Sequence, residues 1–148
     1  MRRARSSRQA GFSLLELLVA LTILALALSV VSLSASRRSP AFEVRRVSGE
    51  TVSLLREARL TARSSGRPVR ITFDPEAREV RRAGADPLVV PQGVELSLVS
   101  AASAGPSAIV FFPDGSSSGG AFTFEGAGRK TEVTVDWLTS RVERLEKK

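Results

Sequence analysis

The sequence predicts an α+β fold in which a long N-terminal helix packs on an antiparallel β-sheet domain. Three observations carry that prediction. A run of twenty residues from Leu17 to Ser36 contains no charge, residues 44–62 repeat small or apolar positions every three or four residues, and short alternating runs punctuated by Gly, Pro and Asp begin at Pro68.

The uncharged run is long enough to cross a membrane. At about 1.5 Å per helical residue it reaches about 30 Å, the thickness of a bilayer core. Glu16 stands at its start, and an ionised carboxylate in lipid costs about 2.5 to 3.5 kcal/mol even on the lenient insertion scale. Such a group needs a partner, a shallow position or a purpose. Ahead of it, residues 1–11 are basic through Arg2, Arg3, Arg5 and Arg8. One reading of this leader is the start of an ordinary secretory signal, since Ser32-Leu33-Ser34 and Ser34-Ala35-Ser36 offer small residues to a signal peptidase. Cleavage there would expose Ala35 or Arg37, whereas a plain single-span anchor would not be cut. The length of the apolar run and the acid inside it weigh against the secretory reading.

Pro40 follows the basic pair Arg37-Arg38, and its missing N–H is expected to kink or interrupt a helix. Beyond it, Val44, Val47, Thr51, Leu54 or Leu55, Ala58 and Ala62 mark one buried stripe, with Arg45, Arg46, Glu50, Ser53, Glu57 and Arg63 opposite. Arg59 and Arg63 suit the negative end of a helix, and Gly66 with Pro68 supplies a stop. The expected helix covers residues 41–64. Next, Val69, Ile71 and Phe73 alternate with Arg70 and Thr72, Asp74-Pro75 turns the chain, and a polar strand covers residues 78–82. Further strands are expected at 88–90, 94–99 and 108–112, then around Phe122 and Phe124 and around Val133 and Val135. The last two bracket a hairpin loop, Gly126-Ala127-Gly128-Arg129-Lys130. Residues 141–145 add an edge strand whose alternating charges discourage aggregation.

The residues 11–16, Gly-Phe-Ser-Leu-Leu-Glu, resemble the class III signal of type IV pilins and type II secretion pseudopilins. The resemblance implies that a prepilin peptidase cuts between Gly11 and Phe12 and methylates the new amine on Phe12. It also implies that Glu16 pairs with the terminal amine of a neighbouring subunit during assembly. On this reading residues 1–11 are the leader, 12–36 a membrane and filament-core helix spanning from Leu17 to Ser36, 37–66 its amphipathic continuation, and 67–148 a periplasmic sheet domain. Later blocks narrow the likeness. Residues 59–66, Phe112-Pro113-Asp114-Gly115-Ser116-Ser117-Ser118-Gly119-Gly120 and Val135-Asp136-Trp137-Leu138-Thr139-Ser140-Arg141-Val142 are similar to the H-type minor pseudopilin family, which includes some minor type IV pilins. Two departures stand out. The membrane half lacks the family's frequent kinking proline, and Thr139-Ser140-Arg141 replaces a frequent Thr-Gly-Arg, which puts a tight glycine turn in question.

Composition closes most chemistry. The chain has 148 residues and neither Cys nor His, so disulfides, thiolate nucleophiles, His-based acid–base catalysis and common zinc sites are excluded. The net charge of +7 invites a nucleic-acid reading, yet residues 41–148 hold 16 basic and 14 acidic side chains. Much of the excess flanks the apolar run, where positive residues hold that end in the cytoplasm. Ser116, Ser117 and Ser118 have no base to activate them. Asp114 with serine oxygens supplies too few ligands for calcium, and residues 114–120 read as a flexible connection. Asp74 and Glu76 fit a turn better than a catalytic pair. Trp137 reads either as a core or core-edge residue or, with Asp114, as a partner contact. The clusters Arg78, Arg81 and Arg82, and Arg129, Lys130, Arg141, Arg144, Lys147 and Lys148, alternate with acids and read as solvated surface.

The resemblance implies no enzymatic activity and no cofactor. Its implied partners are the prepilin peptidase, other major and minor pseudopilins, an inner-membrane assembly platform and exported protein. The implied location is the bacterial inner membrane in a single pass, with the N-terminus cytoplasmic and the C-terminal domain in a periplasmic pseudopilus. The alternative function is that of a minor type IV pilin in pilus assembly or DNA uptake, with nucleic acid bound by the basic tail.

Overall fold

Backbone geometry follows the sequence periods closely in a computed structural model that describes residues 14–35 and 40–147, with side chains of the first helix only through Ala27. The chain falls into two units, Met1–Arg38 and Ser39–Lys148. In the first, α1 runs over Leu14–Ala35. The second contains α2 (Pro40–Ser65), β1 (Val69–Asp74), β2 (Glu79–Arg82), β3 (Leu88–Val89), β4 (Glu95–Ser100), β5 (Ala108–Phe111), β6 (Gly120–Gly126), β7 (Arg129–Val135) and β8 (Val142–Lys147), with one 3-10 turn at Ala102–Ala104.

In α2 the expected stripe is the buried one: Val44, Val47, Thr51, Leu55, Ala58 and Ala62, joined by Ser48 and Val52. Of the two leucines, Leu55 is the core residue and Leu54 packs only partly. Fully burying one Val or Leu side chain is worth about 1.5 to 3 kcal/mol, so this stripe fixes the helix to the strands. The buried hydroxyls are satisfied within the helix, Thr51 Oγ1 donating to the Val47 carbonyl at 2.9 Å and Ser48 Oγ to that of Arg45 at 3.2 Å. Pro40 does not interrupt this helix. It is the first described residue of α2, where its fixed φ suits the helix. Gly66, at φ 66°, closes the other end as expected.

The strands are antiparallel, but they form two four-stranded sheets instead of the single sheet expected. One has the order β3-β2-β1-β5 and the other β4-β6-β7-β8. Helix α2 packs on both, touching β1 and β2 of the first and β6, β7 and β8 of the second. Ile71, Phe73, Val80, Ile109 and Phe111 from one sheet, and Phe122, Phe124, Val133, Val135 and Val142 from the other, meet the helix stripe in one core.

Turn chemistry sets the registers. Asp74 Oδ1 accepts the N–H groups of Glu76 and Ala77 at 3.0 Å each, so the Asp74-Pro75 pair builds a turn and not a carboxylate site. The β6–β7 loop is shorter than expected. Gly126 pairs with Arg129, leaving only Ala127 and Gly128 at φ 50° and 72°, the paired positive angles of a tight hairpin. Gly126 itself must be small, since a Cβ there would stand 2.5 Å from the Gly93 carbonyl oxygen. Strand β8 takes the edge of its sheet, and its exposed residues Glu143, Arg144, Glu146 and Lys147 supply the expected charges.

Candidate functional site

Glu16 lies in the first turn of α1, on the longest apolar surface of the chain. Leu14, Leu15, Leu17, Leu18, Val19, Leu21, Ile23, Leu24 and Leu26 are all exposed, and they surround the helix instead of lining one face. A helix that is apolar on every side requires apolar surroundings on every side. Its only polar residue beyond Glu16 and before Ala27, Thr22, turns its hydroxyl inward to the Val19 carbonyl at 2.8 Å. The backbone helix has 22 residues, about 33 Å of rise. Among the described residues no helix is long and apolar enough to cross a membrane; α1 side chains are described only through Ala27, short of the about 20 residues a crossing needs. Gly11, Phe12, Ser36, Arg37 and Arg38 lie outside the described residues, so the expected cleavage point and the far end of the expected span do too.

A second constellation lies in the Ser39–Lys148 unit. The β6–β7 turn marks the Pro40 end of α2, because the Gly126 position approaches Val44 and Gly93 approaches Pro40. The turn after β7, residues 136–141, is at the other end, beside Arg56, Arg59 and Leu60. Asp136 organises it. Its Oδ1 accepts the N–H groups of Leu138 at 3.1 Å and Thr139 at 2.7 Å, and the Thr139 hydroxyl at 2.7 Å. These donors, the Thr139 N–H foremost, hold the Asp136 carboxyl below the usual carboxylate range. Ser140 then adopts φ 52°, the left-handed conformation that glycine prefers, and the turn closes through Ser140 N–H to the Asp136 carbonyl and Asp136 N–H to the Arg141 carbonyl, both at 3.0 Å. The tight turn thus forms without a glycine. A buried Ser140 Oγ helps by donating to the Gly115 carbonyl at 2.7 Å.

That bond joins the turn to residues 112–119, which are not a loose connection. Ser118 N–H donates to the Val110 carbonyl at 2.8 Å and its Oγ accepts from Val110 N–H at 3.0 Å, so the serine strap pairs along the edge of β5. On its other side Ser117 donates its N–H to the Trp137 carbonyl at 2.8 Å and its Oγ to the Asp136 carbonyl at 2.9 Å. Asp114 caps the strap, accepting Ser116 N–H at 2.9 Å and Ser116 Oγ at 2.6 Å, and the hydroxyl bond in particular lowers its carboxyl pKa. Every serine of the triplet is therefore structural. Asp114 and Trp137 are brought to one end of the unit by these links. Trp137 is 65% exposed and its neighbour Leu138 61%, so Trp137 does not belong to the core.

The basic residues divide. Arg78 is not solvated surface: its guanidinium donates to the carbonyls of Val90 at 3.4 Å, Pro91 at 2.9 Å and Val94 at 2.6 Å, fastening the β3–β4 connection. Arg81 pairs with Glu79, Arg82 with Glu57, Lys130 with Glu125, Arg141 with Glu143, Arg144 with Glu146 and Lys147 with Glu132. Sequence reasoning missed a further group, Arg56 and Arg59 facing Arg141. The signal was present, two arginines one helical turn apart with Leu60 beside them, but it passes for an ordinary polar helix face. Among the described residues, no group of three or more acids sits where a metal ion would be held.

Comparisons with known proteins agree with these two regions. Residues 6–32 match the model of the prokaryotic N-terminal methylation motif, which brackets Gly11, Phe12 and Glu16. Residues 48–139 match the family model described as type II transport protein GspH. A type II secretion system protein H from Xanthomonas campestris pv. campestris is 28% identical over 136 residues, covering 89% of this chain and 80% of the relative. In structure the chain is similar to the minor pseudopilin EpsH of the Vibrio cholerae type 2 secretion system, with TM-score 0.59 and 13% identity over 70% of this chain and 97% of that one. It is also similar to the type IV minor pilin FimU of Pseudomonas aeruginosa, with TM-score 0.52 and 14% identity over 68% of this chain and 91% of that one. Both likenesses are of fold.

Proposed function

The chain belongs to the GspH family of type II transport proteins, and from that premise we propose that it serves as a minor pseudopilin near the tip of a type II secretion pseudopilus. It would enter the inner membrane as a prepilin and be cut by the prepilin peptidase between Gly11 and Phe12, with methylation at Phe12. Residues 17–36 would span the bilayer, while the Ser39–Lys148 unit would stand in the periplasm. The observation that carries this reading is the pairing, in one chain, of an all-round apolar α1 that has an acid in its first turn with a methylation motif over the same residues.

The physics of α1 suits transfer between two apolar media. Lipid tails and a bundle of apolar helices solvate leucine almost equally, so little free energy separates membrane from filament. Glu16 differs in the two places. In a filament it would pair with the terminal amine of a neighbouring subunit, which offsets the cost of burying the carboxylate and sets the subunit register. Major and minor pseudopilins, the inner-membrane assembly platform and exported protein are the partners of this role, with Trp137 and Asp114 as candidate contacts on the exposed end of the folded unit.

The test separates insertion from assembly. Glu16→Ala is expected to leave membrane insertion and cleavage intact, with a mature N-terminus at methylated Phe12 by mass spectrometry, while crosslinking to other pseudopilins falls at least about tenfold, the scale of one buried ion pair. Undiminished crosslinking would refute the role given to Glu16. A second reading, a minor type IV pilin, is favoured by the fold likeness to FimU. Its DNA-binding form draws no support from the tail, where Arg141, Arg144 and Lys147 are matched with acids.

A further inference from the structure

Between the C-terminal half of α2 and the start of β8 lies a cleft of about 380 Å³ lined by Arg56, Arg59, Leu60, Arg141 and Val142. Three of these five residues are arginines. Among the described residues, neither Arg56 nor Arg59 has an ion-pair or hydrogen-bond partner, and Arg59 Nε is shut off from solvent with none. A buried N–H without an acceptor is costly, so Arg59 is held at the cleft with its hydrogen bonding incomplete. Of the neighbouring acids, Glu57 pairs with Arg82 at 3.4 Å, away from the cleft, and Glu143 gives Arg141 an exposed, weak partner at 3.7 Å, so the unpaired charge of the cleft is that of Arg56 and Arg59. Leu60 is 65% exposed at the cleft, and Trp137 and Leu138 project from the same turn as Arg141.

We infer that this cleft is a docking site for an acidic peptide segment of a partner protein, one that carries carboxylates next to apolar side chains. Carboxylates match the planar guanidinium fork in pairs of parallel hydrogen bonds. The apolar part of the lining selects against a bare anion, because phosphate brings nothing to cover Leu60. A nucleic acid strand fits less well. It needs a basic track with stacking platforms along it, whereas Arg81, Arg82, Lys130, Arg144 and Lys147 are ion-paired and no aromatic side chain lines the cleft. The inference stands on the cleft and does not require the pseudopilus reading, since Glu16 belongs to the other unit of the chain.

The test uses the full chain in neutral detergent and reads the fluorescence of Trp137, the only tryptophan. The probe is a short peptide of alternating Glu and Leu. Saturable binding is expected, weakened at least about tenfold by Arg56→Gln with Arg59→Gln and unchanged by Arg129→Gln at the opposite end of the unit. Should the Arg59 variant fail to melt cooperatively, Arg56→Gln with Arg141→Gln removes two exposed guanidinium groups and is expected to weaken binding as much. Absence of binding by the unaltered chain, equal loss in Arg129→Gln, or equal affinity for the Gln/Leu counterpart would each overturn the inference. Tighter binding of oligothymidylate, lost with Arg56 and Arg59, would overturn it in favour of nucleic acid. Failure here with intact Glu16-dependent crosslinking leaves the proposed function standing.

Discussion

Helices α1 and α2 are nearly equal in length, 22 and 26 residues, yet they solve opposite problems. In α2 the apolar residues are gathered on one stripe, and Val44, Val47, Leu55, Ala58 and Ala62 are wholly buried by the chain's own strands. In α1 they are spread around the axis, and among the described residues the leucines from Leu14 through Leu26 stand exposed. Helix α2 is complete within one molecule; the pattern of α1 calls for apolar surroundings on every side. Secondary structure is the same in both, so destination is written in the angular distribution of apolar side chains, not in helicity.

Truncating one leucine in each helix should break the comparison most sharply. Leu55→Ala removes a fully buried side chain and is expected to destabilise the folded unit by about 2 to 5 kcal/mol. Leu18→Ala, on a residue that the chain leaves exposed, should change the melting transition of that unit by less than about 0.5 kcal/mol. Urea unfolding of the two variants in detergent checks both, and equal effects would mean that the units are not energetically separate.

A smaller effect concerns how the fold replaces a glycine. Ser140→Ala keeps the positive φ and removes the bond to the Gly115 carbonyl, an expected loss of about 1 to 2 kcal/mol. Ser140→Gly removes the same bond but relieves the left-handed strain, worth about 1 kcal/mol, so thermal melting should place it near the unaltered protein. A glycine variant as unstable as the alanine one would show that the hydroxyl, and not the backbone angle, dominates.

The smallest effect is expected at the exposed carboxylates. Donors from Thr139 and Ser116 hold Asp136 and Asp114 below their ordinary values in the fold. Their contribution is present above the unfolded value of about 3.9 and is lost as pH falls through the lower folded value. Asp136→Ala should therefore lower the melting temperature slightly at neutral pH and make its acid decline shallower. An unchanged acid slope would exclude Asp136 as a source of that decline.

How much of this was legible in the sequence depends on range. The α2 stripe, the Asp74 turn and the alternation of Phe122 with Phe124 are local patterns, and each predicted its element. The division into two sheets was not legible, because alternation tells which face of a strand is buried but not which strand lies beside it. The serine strap was misread for a related reason. Ser116, Ser117 and Ser118 are ordinary loop residues by composition, and their pairing with Val110, Asp136 and Trp137 depends on contacts up to 20 residues away. At the proposed assembly site the sequence motif is the stronger witness, since Gly11 and Phe12 lie outside the described residues while the methylation-motif match covers them.

The strap also has a mechanical meaning. Two sheets with separate ladders share load through what bridges them: α2 and the common core, Arg78 at the β3–β4 connection, and Ser117 and Ser118. A pull that separates the sheets must break the bonds of the strap to Val110 and Trp137 together, while the β ladders on either side stay intact. The strap thus adds directional bonds to a seam that elsewhere rests largely on apolar packing.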